Sequence, residues 1–377
     1  AVNGETLRLP EGFLLAMMTE AALAQTDPYT AVVWPYAVKN FDKAMTGRFG
    51  GVGIHIRKVK SGLQITSLIP ETPAMKAGLR AEGVIVAVDG ESTKGMSTTC
   101  AVKKISGPVG TSVTLTVRYP GSESGELVPV VRDKIVIPVV EGSRQADTGT
   151  ADQQARPHWD YFLDEDRRIG YLRLKNFTEQ TLPAMKAALK KMETNGLAGL
   201  ILDMRGNGGG LLTAAVQTAD LFIDRGVLLQ SRGRGDTTGA WAAAENTVTR
   251  TYPLAVLIDG GSASAAEIVA GVLASPTYRR AVLIGERSYG KGSVQEVVEL
   301  GDSRGKLKYT AAHYYLPDGS PVKCRPDEPT AEEGDWGIAP DIQVPLYAFE
   351  RAQIRKVQSE RSKVTNSKGA QAGESED

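Results

Sequence analysis

The chain has 377 residues, 41% apolar and 23% charged, an ordinary globular composition at a length that exceeds one hydrophobic core, so two or three domains are expected. Its 44 Lys and Arg balance 44 Asp and Glu. That balance argues against nucleic acid or an anionic membrane surface as a partner, and no apolar run is long enough to predict a transmembrane helix. Cys100 and Cys324 lie far apart and read as two buried free thiols in preference to a disulfide. Together with His55, His158 and His313 they show no zinc spacing, so no metal site is expected. No histidine sits beside a serine or cysteine motif, which makes a Ser-His-Asp enzyme a poor fit.

Residues 10–47 read as helices with a turn between them. Leu14, Met17, Met18, Ala21, Ala22 and Leu23 fall at mostly helical spacing, and Asp27-Pro28 interrupts it. No charged segment precedes an apolar one at the N-terminus, so any signal peptide is expected to be absent from this chain. From Phe49 to Val140 the pattern changes to short strands and turns. Gly51-Val52-Gly53-Ile54-His55-Ile56 opens a strand, Leu63–Leu68 alternates as a half-buried strand does, and Pro73–Leu79 is one helical turn stopped by glycine. Residues 141–157 are polar and aperiodic, as in a linker or a long hairpin tip. Beyond them strand and helix alternate. Ile169–Leu174, Leu197–Asp203, 254–259 and 281–284 are strands; Leu182, Met185, Leu189 and Met192 line a helix, and further helices cover 211–224 and 266–275. That alternation implies βαβ units and a mostly parallel sheet. Ser359 to Asp377 is polar and Gly/Ser/Lys/Glu-rich, hence expected to be disordered.

Three glycine-rich junctions fall where strands of an open α/β sheet end and sites are built. In Asp203-Met204-Arg205-Gly206-Asn207-Gly208-Gly209-Gly210 the glycines expose backbone N–H groups at a helix start, a receptor for a developing oxyanion, against the alternative of a plain surface turn. Asp259-Gly260-Gly261-Ser262-Ala263-Ser264-Ala265-Ala266-Glu267-Ile268 is small enough for a substrate backbone to approach, or for tight packing alone. Gly285–Gln295 fits the first part of a P-loop, but Gly292 follows Lys291 where a metal-binding Ser or Thr is needed, and the acidic strand at Asp203 precedes the loop.

Taken together these residues resemble the C-terminal-processing (tail-specific) serine peptidase family, over most of the chain. Asp27-Pro28-Tyr29-Thr30, Thr46–Ile54, Pro73–Leu79, Val84–Gly90, Tyr314–Gly319 and Gly337–Asp341 each resemble a family motif, in order. The resemblance implies a multidomain α/β (α+β) protein: an N-terminal helical region (1–48), a PDZ domain (49–140), a linker (141–157) and a peptidase core similar to the Clp peptidase and crotonase superfamily (158–350). A largely disordered C-terminal extension (351–377) would follow. It further implies a Ser–Lys mechanism without metal or organic cofactor, and a place outside the cytoplasm.

In the family's Gly-Ser-Ala-Ser-Ala-Ser-Glu the nucleophile, taken as the serine directly before the glutamate, falls on Ala266. Lys291 is then the base, Gln295 its holder, and the N–H groups of Gly209 and Glu267 the oxyanion hole. An alanine methyl cannot attack a carbonyl, so the chain is expected to be a disabled peptidase, with Ser264 and Ser262 judged too far offset to substitute. A deliberate replacement of an active serine and a natural non-catalytic tail-binding pseudo-peptidase are the two explanations, the first favoured by the presence of every other feature. By the same resemblance Gly51, Val52, Gly53 and Ile54 would hold a substrate's C-terminal carboxylate. The tail would add as a strand beside His55-Ile56-Arg57, and Ile54, Ile56 and the helix near Val102–Ile105 would form the pocket for its last residue. The partners implied are proteins with exposed C-termini, and the N-terminal helices are candidates for homodimerisation.

Overall fold

The computed structural model describes residues 8–147, 157–233, 238–243, 250–301, 305–322 and 336–361. They divide into two compact units. One joins the N-terminal segment through Thr46 to Phe162–Tyr347, and the other comprises Gly47–Tyr161 with the segment from Ala348. The N-terminal helices therefore belong to the body of the α/β core, and do not form a separate domain.

The chain begins with helix α1 (Glu11–Leu23), a short strand β1 (Ala31–Val33) and helix α2 (Pro35–Thr46). Strand β1 was not expected; its three residues are too few to show a period. The second unit opens with β2 (Arg48–Gly51), β3 (Ile54–Val59) and β4 (Gly62–Leu68) and the single turn α3 (Pro73–Lys76). It continues with β5 (Val84–Val88), β6 (Glu91–Ser92), α4 (Thr98–Ile105), β7 (Ser112–Arg118), β8 (Glu126–Val131), β9 (Asp133–Val136) and β10 (Val140–Glu141). Its antiparallel sheet runs β3-β4-β5-β7-β8, with β3 at the edge and β6 beside β5. Strand β7 alternates buried and part-exposed residues along its length, with Val113, Leu115 and Val117 inward. These meet Leu63, Ile65 and Ile85 from the neighbouring strands and Ala101 and Ile105 from α4 in one core. Strands β11 (Arg144–Asp147) and β12 (Pro157–Asp160) pair as an antiparallel ladder, so part of the segment 141–157, read as a linker or a long hairpin tip, is strand.

The core unit then adds β13 (Phe162–Asp164), β14 (Ile169–Leu174), α5 (Thr181–Thr194), β15 (Gly199–Asp203), α6 (Leu212–Asp220), β16 (Val227–Gly233) and β17 (Thr238–Ala242). After these come β18 (Leu254–Ile258), α7 (Ala265–Ala274), β19 (Val282–Gly285), β20 (Ser293–Glu299), β21 (Lys306–Tyr315) and β22 (Ile342–Gln343). Strands β14, β15, β18, β19 and β22 are parallel neighbours in that order. Leu172, Leu200, Leu202, Val256, Ile258 and Leu283 are buried along them, the near-continuous apolar run of a sheet covered on both faces. An antiparallel sheet, β1-β21-β16-β17 with β20 also on β21, completes the unit. The described chain ends in helix α8 (Ala348–Arg361), so the C-terminal extension starts as regular structure where disorder was expected. Cys100 is exposed and free, contrary to a buried thiol. Cys324, residues 148–156 and residues from 362 onward lie outside the described residues.

Candidate active site

Three chain reversals of the core unit meet around one cavity of about 330 Å³. The β15–α6 turn contributes Gly208, Gly210 and Leu211, the β18–α7 turn Ser264 and Ala265, and the β19–β20 loop Lys291. Phe41 and Met45 of α2, Ile268, and Val294 and Val297 of β20 supply apolar walls. The loop carrying Lys291 leads into a strand, not a helix, so it lacks the helix N-terminus on which a P-loop depends.

Each turn is locked from below. Asp203, fully buried, takes two hydrogen bonds from the Arg205 guanidinium at 2.9 and 2.7 Å and one from the Tyr171 hydroxyl at 2.7 Å. Burial alone would raise its carboxyl, but these bonds prevail and hold it below the ordinary carboxylate range. Asn207, also buried, donates to the Leu174 carbonyl at 2.8 Å and accepts from the Gly209 N–H at 2.9 Å. Gly209 has φ +100°, and a side chain there would strike Ser264, which sets how closely the two turns approach.

The β18–α7 turn places positions 264 and 266 in different surroundings. Ala266 is 0% exposed, in the first turn of α7 with its methyl packed in the core, and does not line the cavity. Ser264 does line it, and occupies φ 55°, ψ −114°, a region that a residue with a Cβ enters only under strain. A serine held at a strained strand-to-helix turn, on the last residue before the helix, has the geometry of a nucleophile elbow. Ser262 is fully buried and donates its hydroxyl to the Met204 carbonyl at 2.8 Å, which excludes it from chemistry.

The two residues expected as oxyanion donors, Gly209 and Glu267, also make bonds within the protein. The Gly209 N–H is committed to Asn207. Glu267 is fully buried and acts through its side chain. Its Oε2 accepts from the backbone N–H groups of Ser264 at 2.7 Å and Lys291 at 2.9 Å, and its Oε1 from Gly290 N and Ser288 Oγ, each at 2.6 Å. One carboxylate oxygen thus ties the backbone of Ser264 to that of Lys291. Burial pushes the Glu267 carboxyl up against the four bonds that pull it down.

Lys291 Nζ lies 4.5 Å from the centre of the Tyr29 ring, and the Lys291 carbonyl accepts from the Tyr314 hydroxyl. Gln295, across the ladder from Thr310, donates its amide to Ser293 Oγ at 2.8 Å and Thr310 Oγ1 at 3.4 Å, which leaves its carbonyl oxygen as the acceptor. Lys291 and Gln295 therefore line the same cavity as Ser264. No group of His, Cys, Asp and Glu able to hold a metal occurs among the described residues.

Residues 168–344 match the model of peptidase family S41, and residues 64–118 that of a PDZ domain. A carboxy-terminal-processing protease of Bartonella bacilliformis is 36% identical over 327 residues, 85% of this chain and 67% of its own length. The chain belongs to the PDZ-containing C-terminal-processing peptidase family. A chloroplastic C-terminal processing peptidase of Tetradesmus obliquus is 32% identical over 322 residues, 84% of this chain and 65% of the relative. The chain thus spans about two thirds of the length of these curated relatives. Among solved structures, a photosystem II D1 C-terminal processing protease aligns at 30% identity over 86% of this chain and 80% of its own, with a TM-score of 0.47.

The PDZ domain presents β3 as an edge strand. The Val52 and Gly53 carbonyls accept from Ala74 N and Ile69 N, both at 2.9 Å. Gly53 has φ +87°, and Thr72 packs where its side chain would be. Ile54 and Ile56 are partly buried against the core, His55 points away exposed, and Val102 of α4 is 43% exposed. Arg132 braces α4, donating to the carbonyls of Lys104, Ile105 and Ser112 at 2.8–2.9 Å.

Sequence reasoning weighed Ser264 and set it aside, and gave no catalytic role to Tyr29 or Asp27, whose turn reaches this cavity. Ser264 stands at the N-cap position of α7, in a capping box with Glu267.

Proposed function

We propose that the chain is an active serine endopeptidase that captures unstructured protein C-termini on its PDZ edge strand and cuts them with Ser264 as nucleophile and Lys291 as general base. The observation that carries this is the placement of a strained Ser264 in the same cavity as Lys291, with Ala266 fully buried behind it. The alternative reading keeps position 266 as the nucleophile position, with the chain disabled by Ala266, and the activity of Ala266→Ser distinguishes the two.

In the proposed reaction the Ser264 Oγ bonds to the scissile carbonyl carbon and its proton passes to the neutral Lys291 amine. The oxyanion is met by the Ala265 N–H, at the first position of α7, and by N–H groups of the Gly208–Gly210 turn other than that of Gly209. Breakage of the C–N bond takes the proton from Lys291 to the leaving amine. Water, deprotonated by the same amine, then releases the acyl group. Gln295 orients Lys291 through its free carbonyl oxygen, and Glu267 fixes the spacing of the two turns. The tail's carboxylate docks on the Gly51–Ile54 loop, with Ile54, Ile56 and Val102 around its last side chain. An extracytoplasmic setting, and homodimerisation through α1, accompany this reading.

The test uses an unfolded protein ending in apolar residues. Ser264→Ala and Lys291→Ala should each abolish cleavage and leave tail binding intact. Binding without cleavage by the unmodified chain would favour a non-catalytic tail-capturing protein instead.

A further inference from the structure

The turn that joins α1 to β1 reaches the cavity. Asp27 Oδ1 accepts from the backbone N–H groups of Tyr29 at 2.8 Å and Thr30 at 3.0 Å, and Asp27 Oδ2 accepts from the Thr30 hydroxyl at 2.5 Å. The same carboxylate accepts from Thr310 Oγ1 at 2.9 Å, the hydroxyl that in turn accepts from Gln295. Strand β1 is then clipped to β21, with Ala31 opposite Lys308. Asp27 thereby fixes the turn on its own backbone and on the strand that faces Gln295. The turn in turn sets the Tyr29 ring 4.5 Å from Lys291 Nζ.

We propose that Tyr29 is a positioning residue for Lys291, and that its ring face holds the ammonium form and so sets the pH at which the base becomes available. An aromatic face attracts a cation through its quadrupole and has no such attraction for a neutral amine. Other charged or titratable groups meet Lys291 at other atoms or carry the same charge. The Glu267 carboxylate of α7 binds the Lys291 backbone N–H, the Tyr314 hydroxyl of β21 binds its carbonyl, and Lys308 of β21, lining the same cavity, is itself cationic. The proposal rests on the reading of Lys291 as base, and it places an N-terminal segment far from the core motifs inside the reaction centre.

The experiment compares the full chain with Tyr29→Phe and Tyr29→Leu. The first measurement is the pH dependence of kcat/KM for peptide cleavage. The second is the pH dependence of acylation of the Lys291 amine by an amine-reactive reagent, read by mass spectrometry of its peptide. Tyr29→Leu should move both midpoints to lower pH by about half a unit to one unit, the size of a cation–π contact. Tyr29→Phe, which keeps the ring face, should leave both where they are. Unmoved midpoints in a folded Tyr29→Leu chain, or an equal shift in Tyr29→Phe, would overturn the proposal. Because the amine titration needs no turnover, it reads the Tyr29 contact even if Lys291→Ala still cleaves, the result that would remove Lys291 as base.

Discussion

Ser264 and Ala266 are two residues apart, yet one ends a strained turn in the cavity and the other is packed in the core. A two-residue step at a helix start swings a side chain through roughly 200°, so an assignment made by counting along a Ser-Ala repeat is sensitive to which repeat is chosen. Glu267 is the residue on which both candidate catalytic turns hang. Replacing it by Gln puts an amide donor against backbone N–H donors. Glu267→Gln should lower kcat more than KM and cost about 2–3 kcal/mol of stability by chemical denaturation. Wild-type kcat in a stably folded variant would remove its positioning role. Asp203 provides a pH signature. Its carboxyl is lowered on folding, so its stabilisation is complete above the ordinary value of 3.8 and is lost as pH falls through the lower folded value. Asp203→Asn should therefore lower the Tm at neutral pH and show a shallower fall in Tm below about pH 4. A slope equal to that of the unmodified chain would contradict the assignment.

At the level of elements, the parallel strands and their helices were legible because β15 and β18 read as short apolar runs and β14 as one broken only by Gly170 and Arg173. The loop positions of Lys291 and the Gly208–Gly210 turn followed from them. Strand β1 and the Tyr29 contact were not legible, because both arise from pairing with β21 near residue 308, and local periodicity carries no information about so distant a partner. Helix α8 was missed for a related reason: Gln, Lys, Arg and Glu are good helix formers, so a polar composition alone does not distinguish a solvated helix from disorder. Arg132 is another long-range element, a buried guanidinium that satisfies the last carbonyls of α4. Arg132→Met should destabilise the PDZ domain by about 3 kcal/mol, since it orphans several buried carbonyls, and should weaken tail binding with it. Calorimetry showing an unchanged PDZ transition would refute this.

For the whole molecule, the two compact units divide the labour of capture and cleavage in the proposed function. Helix α1 has no buried residue, and leaves Phe13, Leu15, Met17 and Met18 each more than half exposed. Apolar exposure on that scale along one helix favours association. The chain should sediment as a dimer that Phe13→Glu/Met17→Glu converts to monomer; a monomeric unmodified chain would leave that helix without the partner proposed for it. No helix among the described residues is long and apolar enough to cross a membrane.

The central claim is that Ser264, and not position 266, carries the nucleophile. It is tested most directly by cleavage of an unfolded protein with an apolar C-terminus by the unmodified chain, by Ser264→Ala and by Ala266→Ser. The account predicts cleavage by the unmodified chain, none by Ser264→Ala, and no gain from Ala266→Ser beyond the disturbance of placing a hydroxyl in the core. An inert unmodified chain that gains activity in Ala266→Ser would contradict it and return the nucleophile to position 266.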